Sequence, residues 1–277
     1  MQRDYSYFTS GIRPAEPTSS ALLSTSKYLN HAGLRDWLAT HFLRRNGPDI
    51  PIPSDPVSGI TQALDDLRDH ARYQRLIDAE KERNPSFRDW VGEKWLSTMQ
   101  VEDFADFPPE SFGGIFYRYL VDNGYALNLG WQEASPKTDI EFIRMRSGQI
   151  HDYEHLMTGG GFNSLGELIP LHCRLSNPFR HYSPELAQAM SELYIFVATR
   201  MVMRSFLHYP QTWPTVLQLV ERGIAVGEKS ASVYEMRYED ALHLPIPEAR
   251  NMLGIVGAED FDSEAMDLIF TEQLAAE

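Results

Sequence analysis

Apolar positions recur along this chain at intervals of three and four, and β-branched alternation is scarce, so the pattern predicts a mainly α fold: a single helical domain. Leu34, Trp37, Leu38 and Phe42 fall at i, i+3, i+4 and i+8 within a helical stretch over 22–46. Ile60, Ala63, Leu64, Leu67 and Ala71 form one amphipathic stripe from Ser58 to Leu76-Ile77. Ser86 as N-cap, with Asp89 three residues on, predicts a helix carrying Trp90, Val91, Trp95, Leu96 and Met99. A short helix follows and stops at 106–109. Ile115, Phe116, Tyr119 and Leu120 mark another between Gly113 and Gly124, read as a core face, with a ligand groove as the alternative.

Ser183-Pro184-Glu185 combines a cap, a proline at the first helical position and an acid in the first turn, so a long helix starts there. Its Leu186, Ala189, Met190, Leu193, Val197, Met201 and Phe206 share one face until Tyr209-Pro210 ends it. Met190, Met201 and Met203 read as pliant core filler, with the wall of a lipid channel as the alternative. Trp213-Pro214 opens a further helix through Gly223, and the helical pattern continues from Ala225 to Leu242. The expected organisation is an N-terminal extension and proline-rich linker over 1–56, the helical domain over 57–257, and an acidic tail over 258–277 that forms a last helix with solvated charges.

Candidate chemistry concentrates between His151 and Glu167, HDYEHLMTGGGFNSLGE. If 148–158 is helical, a step of about 100° per residue places His151, Asp152 and His155 within one arc. Imidazoles at i and i+4 let one helix grip a divalent ion. Gly159-Gly160-Gly161 breaks the helix, since each glycine costs roughly 1 kcal/mol against alanine there, and the turn can return Glu167 over the histidines as a fourth ligand. Two histidines with carboxylates suit zinc first, and iron(II) or manganese also. Competing readings attach to the same residues. Ser164-Leu-Gly-Glu167 has the form of a capping box, which would spend Glu167 on a helix start. Glu154 borders the same face, and His172-Cys173 follows closely.

His151-Asp152-x-x-His155, eleven residues, then Glu167 resembles the metal motif of the Coq4 family of ubiquinone-biosynthesis proteins. The likeness extends to Phe107-Pro108-Pro109-Glu110-Ser111-Phe112-Gly113, Gly166-Glu167-Leu168, Gly223-x-x-x-Gly227-x-Lys229, Tyr238-Glu239 and Arg250-x-x-Leu253-Gly254-Ile255, so it spans about 60–256. Tyr238 stands where the family usually has tryptophan, the triple glycine is richer than its pattern, and Arg144 and Arg146 precede the motif without a one-to-one match. The resemblance implies a divalent metal held by His151, Asp152, His155 and Glu167. It implies a polyprenylated aromatic precursor as ligand, oxidative decarboxylation and hydroxylation at ring carbon C1, and other ubiquinone-biosynthesis proteins as partners. It equally implies a non-catalytic role as a lipid-binding scaffold for the biosynthetic complex, and recruitment to another prenylated or aromatic metabolite stays open.

Composition narrows this. A formal net charge of −14 opposes a sequence-independent grip on nucleic acid and a purely electrostatic hold on anionic lipid. Without an apolar run of about 18 residues the expectation is a cytoplasmic protein peripheral to the membrane, in contact through amphipathic helical faces; a homodimer is compatible with those faces. The single cysteine, Cys173, rules out an intramolecular disulfide. A peptidase of the H-E-x-x-H kind would need aspartate to replace the glutamate base, and an HD-type phosphohydrolase would have to recruit His70 and Asp240.

Overall fold

In the computed structural model, which describes residues 26–45, 58–124, 127 and 135–273, the first five helices are α1 (Lys27–Asn30), α2 (Ala32–Phe42), α3 (Ser58–Leu67), α4 (His70–Arg83) and α5 (Pro85–Glu93). The middle of the chain forms α6 (Phe112–Asn123), α7 (Asp139–Thr158), α8 (Leu168–Ser176), α9 (Pro178–His181) and α10 (Pro184–His208). The last three are α11 (Trp213–Lys229), α12 (Ile246–Leu253) and α13 (Glu264–Phe270). Among the described residues no strand forms, and only two isolated bridges occur, Ser111 with Pro245 and Gly160 with Phe261. The mainly α reading holds. Of the expected extension and linker over 1–56, residues 1–25 and 46–56 lie outside the described residues.

One helical body surrounds α7. Thr138 starts that helix with a capping box: its hydroxyl accepts from the Glu141 N–H, and the Glu141 carboxylate accepts from the Thr138 N–H. Twelve of the twenty residues of α7 are buried, which requires neighbours on more than one side. Phe142, Ile143, Ile150, Tyr153 and Met157 enter the main core with Tyr73 and Ile77 of α4, Phe87 and Val91 of α5, and Phe112, Phe116 and Leu120 of α6. On another side α8 lies against α7, α10 and α11, with Leu165, Leu168, Ile169 and Leu171 packed on Val197, Ala198, Met201, Val216 and Leu219. A third cluster joins Leu34 and Trp37 of α2 to Ile60, Ala63 and Leu64 of α3.

Several buried polar groups on α7 find partners on neighbouring segments. Arg146 makes a two-pronged pair with Glu239 at 2.8 and 2.9 Å and donates to the Met236 carbonyl at 3.0 Å. The Gln149 side-chain amide brackets Ser97, accepting from its N–H at 3.0 Å and donating to its carbonyl at 2.8 Å. Arg174 of α8 reaches back to Glu154, and to the hydroxyl and carbonyl of Ser147. Glu239 and Arg146 are thus two halves of one brace.

Several sequence expectations change. The stripe over 58–77 is two helices, because the Asp69 carboxylate accepts from the Arg72 N–H at 2.8 Å and starts α4 afresh. α5 is capped by Asn84, whose Oδ1 accepts from the Phe87 N–H at 3.2 Å, with Pro85 at the first position; Ser86 bonds Glu235 instead. That helix ends at Glu93, since Lys94 is left-handed with φ 48, so Trp95, Leu96 and Met99 lie outside it. α10 begins at its predicted Ser183 cap, yet Phe206 is 61% exposed and leaves the buried face. α11 runs unbroken through Gly223 and Gly227 but stops at Lys229, and the Tyr238–Ala241 segment is a separate short turn of 3-10 helix.

Candidate metal centre

α7 ends at Gly159, which takes φ +88 and leaves no room for a side chain: a Cβ there would lie 2.2 Å from the Glu259 carbonyl oxygen. The chain then folds on itself. Gly160 pairs with Phe261, and Gly166 comes so near Gly161 that a Cβ on it would sit 2.0 Å from the Gly161 oxygen. Asn163 Oδ1 accepts from the Gly166 N–H at 2.7 Å and from the Ser263 hydroxyl at 2.9 Å. Asp267 of α13 accepts from the Leu165 N–H at 2.7 Å. This tight return delivers Glu167 to the start of α8.

There the Glu167 carboxylate faces both histidines: Oε2 is 3.2 Å from His151 Nε2, and Oε1 is 3.3 Å from His155 Nε2. The ligand atoms of these three residues all lie within 4.8 Å of one another, the one such cluster of histidine, cysteine and carboxylate groups among the described residues. The Ser164 capping box does not form. Glu167 makes no side-chain cap bond, and the turn is closed by Asn163.

The pieces fit a divalent ion on their own chemistry. Bonds of about 2.0–2.1 Å in a tetrahedral arrangement put neighbouring donor atoms roughly 3.3 Å apart, close to the two separations observed. The Gly161 carbonyl, 3.0 Å from His155 Nδ1, can only accept, so that nitrogen carries the hydrogen and Nε2 is the atom turned toward Glu167. His155 is 2% exposed and stacks on Phe162, which stacks in turn on Tyr119, so the ring cannot swing away. The side chains of His151 and Glu167 are 27% and 31% exposed, leaving the outer side of the trio open. Three donors with an open side leave positions for a substrate.

Electrostatics bind the trio together. Burial opposes charge on Glu167, but His151 and His155 outweigh it and hold the carboxyl well below its usual range. Burial likewise opposes charge on His151, and Glu167 beside it overrides this and raises the imidazole. His151 Nδ1 is buried with no partner among the described residues.

Other candidates fall elsewhere. Asp152 is not in the cluster, because the next residue on a helix points about 100° away; its carboxylate acts on His151 only as a nearby charge. Glu154 is 1% exposed and committed to Arg174, 1% exposed itself. Cys173 lies in the core, its thiol pushed up by burial first and then by Glu154, and His172 donates from Nδ1 to the Leu168 carbonyl. His70 pairs with Asp65, 3.7 Å away, and neither it nor Asp240 joins the cluster. Asp267, expected among solvated tail charges, is instead 8% exposed and holds the loop that carries Glu167. Its signal was an aspartate inside the apolar run Ala265-Met266-Asp267-Leu268-Ile269-Phe270. Arg250 was flagged only by resemblance, and it caps α7 by donating to the Leu156 and Met157 carbonyls at 2.7 and 3.0 Å.

No protein-family model matches the sequence, and no curated protein does. Among solved structures, the crystal structure of a "Putative ubiquinone biosynthesis protein" from Nostoc punctiforme resembles this chain with a TM-score of 0.59 at 17% identity, covering 83% of this chain and 100% of that one. The shared property is the fold. The match spans the whole of the Nostoc chain.

Proposed function

We propose that this protein is a Coq4-like, metal-dependent enzyme of ubiquinone biosynthesis that acts on a polyprenylated aromatic acid. The observation that carries the reading is the meeting of His151, His155 and Glu167, with ligand atoms within 4.8 Å, in a fold resembling that of the Nostoc protein. Zn2+ is the first choice for the donor set, with Fe2+ or Mn2+ as alternatives. When bound, such an ion supplies a Lewis acid toward the substrate carboxylate and, as iron(II), a route to dioxygen.

The chain's own residues do the rest. Gly161 and Phe162 fix the His155 ring, and the Gly159–Gly166 turn, pinned by Asp267, fixes Glu167. The proposed reaction breaks the bond between ring carbon C1 and the carboxylate with loss of CO2, and forms a carbon–oxygen bond in its place. One atom of dioxygen goes to the ring; the other leaves as water, taking two electrons from an added reductant and two protons from solvent, and a third proton completes the ring hydroxyl. Asp152 supports His151 through its charge rather than as a ligand.

Peripheral contact with a membrane is part of the same proposal, with other ubiquinone-biosynthesis proteins as partners. Among the described residues no helix is long and apolar enough to cross a membrane. His208 Nε2 lies 2.9 Å from the Leu43 carbonyl, which brings the ends of α2 and α10 together and sets exposed Leu43, Phe206 and Leu207 in one region with Trp213 against Phe206.

The test is turnover. Purified protein loaded with Fe2+, or separately with Zn2+ or Mn2+, is incubated with 3-geranyl-4-hydroxybenzoate, air and a reductant, and CO2 and the hydroxylated ring are measured. Product that disappears on chelation supports the enzyme. Metal-loaded protein that binds the lipid without product supports the scaffold and overturns the enzyme reading.

A further inference from the structure

On the metal reading proposed above, we infer that Glu154 is the positioning carboxylate of the centre: its Oε1 is joined through one bridging water to the N–H at His151 Nδ1, and so holds that ring with Nε2 toward Glu167. The two histidines differ in their outer nitrogens. His155 donates from Nδ1 to the Gly161 carbonyl at 3.0 Å, and its ring is stacked on Phe162. His151 Nδ1 is buried and has no hydrogen-bond partner among the described residues. A metal-ligating imidazole almost always gives its second N–H to a carboxylate, a carbonyl or water, which fixes both the tautomer and the ring orientation.

Glu154 offers the complement. Its two oxygens differ: Oε2 accepts from Arg174 Nε at 2.5 Å, while Oε1 is buried without a partner among the described residues. A buried nitrogen and a buried carboxylate oxygen, both unmet, thus stand three residues apart on α7. Positions i and i+3 are neighbours on a helix surface, with about 5–6 Å between Cβ atoms. The two atoms make no direct bond, and this spacing suits two hydrogen bonds in series through one water, with His151 donating to the water and the water donating to Oε1. Left unmet, each group would keep its full desolvation cost.

Arg174 aims that carboxylate. Ser147, His151 and Glu154 fall at i, i+4 and i+7, within an arc of about 60°. The Arg174 guanidinium donates to the hydroxyl and the carbonyl of Ser147, one turn before His151, at 2.9 and 2.7 Å, and to Glu154, one turn after it. Seven residues advance about 10 Å along the axis, so one guanidinium reaches both because Glu154 leans back toward Ser147, as helical side chains lean toward the N-terminus. Leaning that way brings its carboxylate alongside the turn that carries His151. Burial raises the Glu154 carboxyl, against the pull of Arg174 first and then of His151 and His155. Both members of the pair are 1% exposed, which keeps the carboxylate where Arg174 sets it.

The test removes the ion pair from both arms and varies only residue 154. One double variant, Arg174→Met with Glu154→Gln, keeps an oxygen acceptor beside His151; the other, Arg174→Met with Glu154→Leu, does not. Replacing both members of a buried pair by groups of similar size spares the fold the cost of an uncompensated charge. Zn2+ affinity is measured by competition with a chromogenic chelator, and the Nδ1 proton of zinc-loaded His151 is followed in nitrogen–proton spectra of the histidine rings. The glutamine arm is expected to bind Zn2+ at least tenfold tighter than the leucine arm. The His151 proton should exchange slowly with solvent in wild type and in the glutamine arm, and fast in the leucine arm. A purely structural role would lower the melting temperature of the two arms without moving that proton. Equal Zn2+ affinity in the two arms overturns the assignment, and so does a His151 proton that exchanges fast in wild type, an outcome that needs no variant to fold. Wild type that takes up no Zn2+ removes the metal reading and this one with it, whereas uptake by wild type with the two arms alike removes this one alone.

Discussion

Gly223→Ala should loosen the seam between α8 and α11 and, through it, the metal centre. A Cβ at 223 would lie 2.5 Å from the Ile169 carbonyl oxygen and 2.8 Å from His172 Cβ, where ordinary contact begins at 3.4 Å. Going from 2.5 to 3.4 Å, the two helices must part by about 0.9 Å, because the obstacle is backbone. A gap of roughly 0.5–1 Å forfeits a quarter to a half of each dispersion contact, and Leu168, Ile169 and Leu171 meet Val216 and Leu219 along this seam. Overpacking costs about 1–3 kcal/mol, against a helix-propensity gain of about 1 kcal/mol for alanine over glycine. The net expectation is a loss of about 0–2 kcal/mol, where an unobstructed site would gain. Because α8 begins beside Glu167, metal affinity should fall by about tenfold or more as well. Guanidinium unfolding gives the stability, read as a lower midpoint at constant slope. Exposed Gly92 of α5, with nothing within 4 Å of its Cβ position, is the control, and Gly92→Ala should gain about 0.5–1 kcal/mol. Gly223→Ala matching that gain, with unaltered metal binding, would refute the reasoning.

Glu154→Gln leaves the Arg174 guanidinium buried without its counter-charge, both side chains being 1% exposed, and should cost about 3–5 kcal/mol in chemical denaturation; a change under about 1 kcal/mol would show the pair to be dispensable. His41, depressed to about 4 from 6.5 by burial first and neighbouring arginines second, resists protonation when folded. Its unfolded form takes up a proton below pH 6.5, so stability should decline as pH falls from 6.5 to about 4, by up to about 3 kcal/mol in total. His41→Gln should flatten that slope, and an unchanged slope would place the titration elsewhere.

Much of the frame was legible because periodicity and caps agreed. α10 starts at Ser183 and α6 lies where its aromatic stripe puts it, since both combine local stop signals with an apolar face. The return of Glu167 was also legible: three glycines end a helix whatever surrounds them. Boundaries failed where a side chain competed locally, as Asp69 and Asn84 do for backbone amides inside otherwise continuous patterns. Asp152 could not be separated from its neighbours by helical spacing alone, because which arc faces Glu167 depends on how the turn folds. Asp267 was invisible for another reason. Its partner, the Leu165 N–H, lies 102 residues away, a pairing that no spacing encodes.

Metal content tests the proposed centre most directly. Wild type, Glu167→Gln, His155→Ala and Ser164→Ala are purified without oxygen, exposed to Zn2+ or Fe2+, freed of loose ions and analysed for bound metal, with circular dichroism to confirm that each is folded. About one ion per chain is expected in wild type and in Ser164→Ala, whose serine caps nothing here, and strong loss in the other two, since glutamine is a poor ligand for zinc or iron(II). Wild type that binds no metal, or Glu167→Gln that holds as much as wild type while His155→Ala holds none, would contradict a centre built on His151, His155 and Glu167.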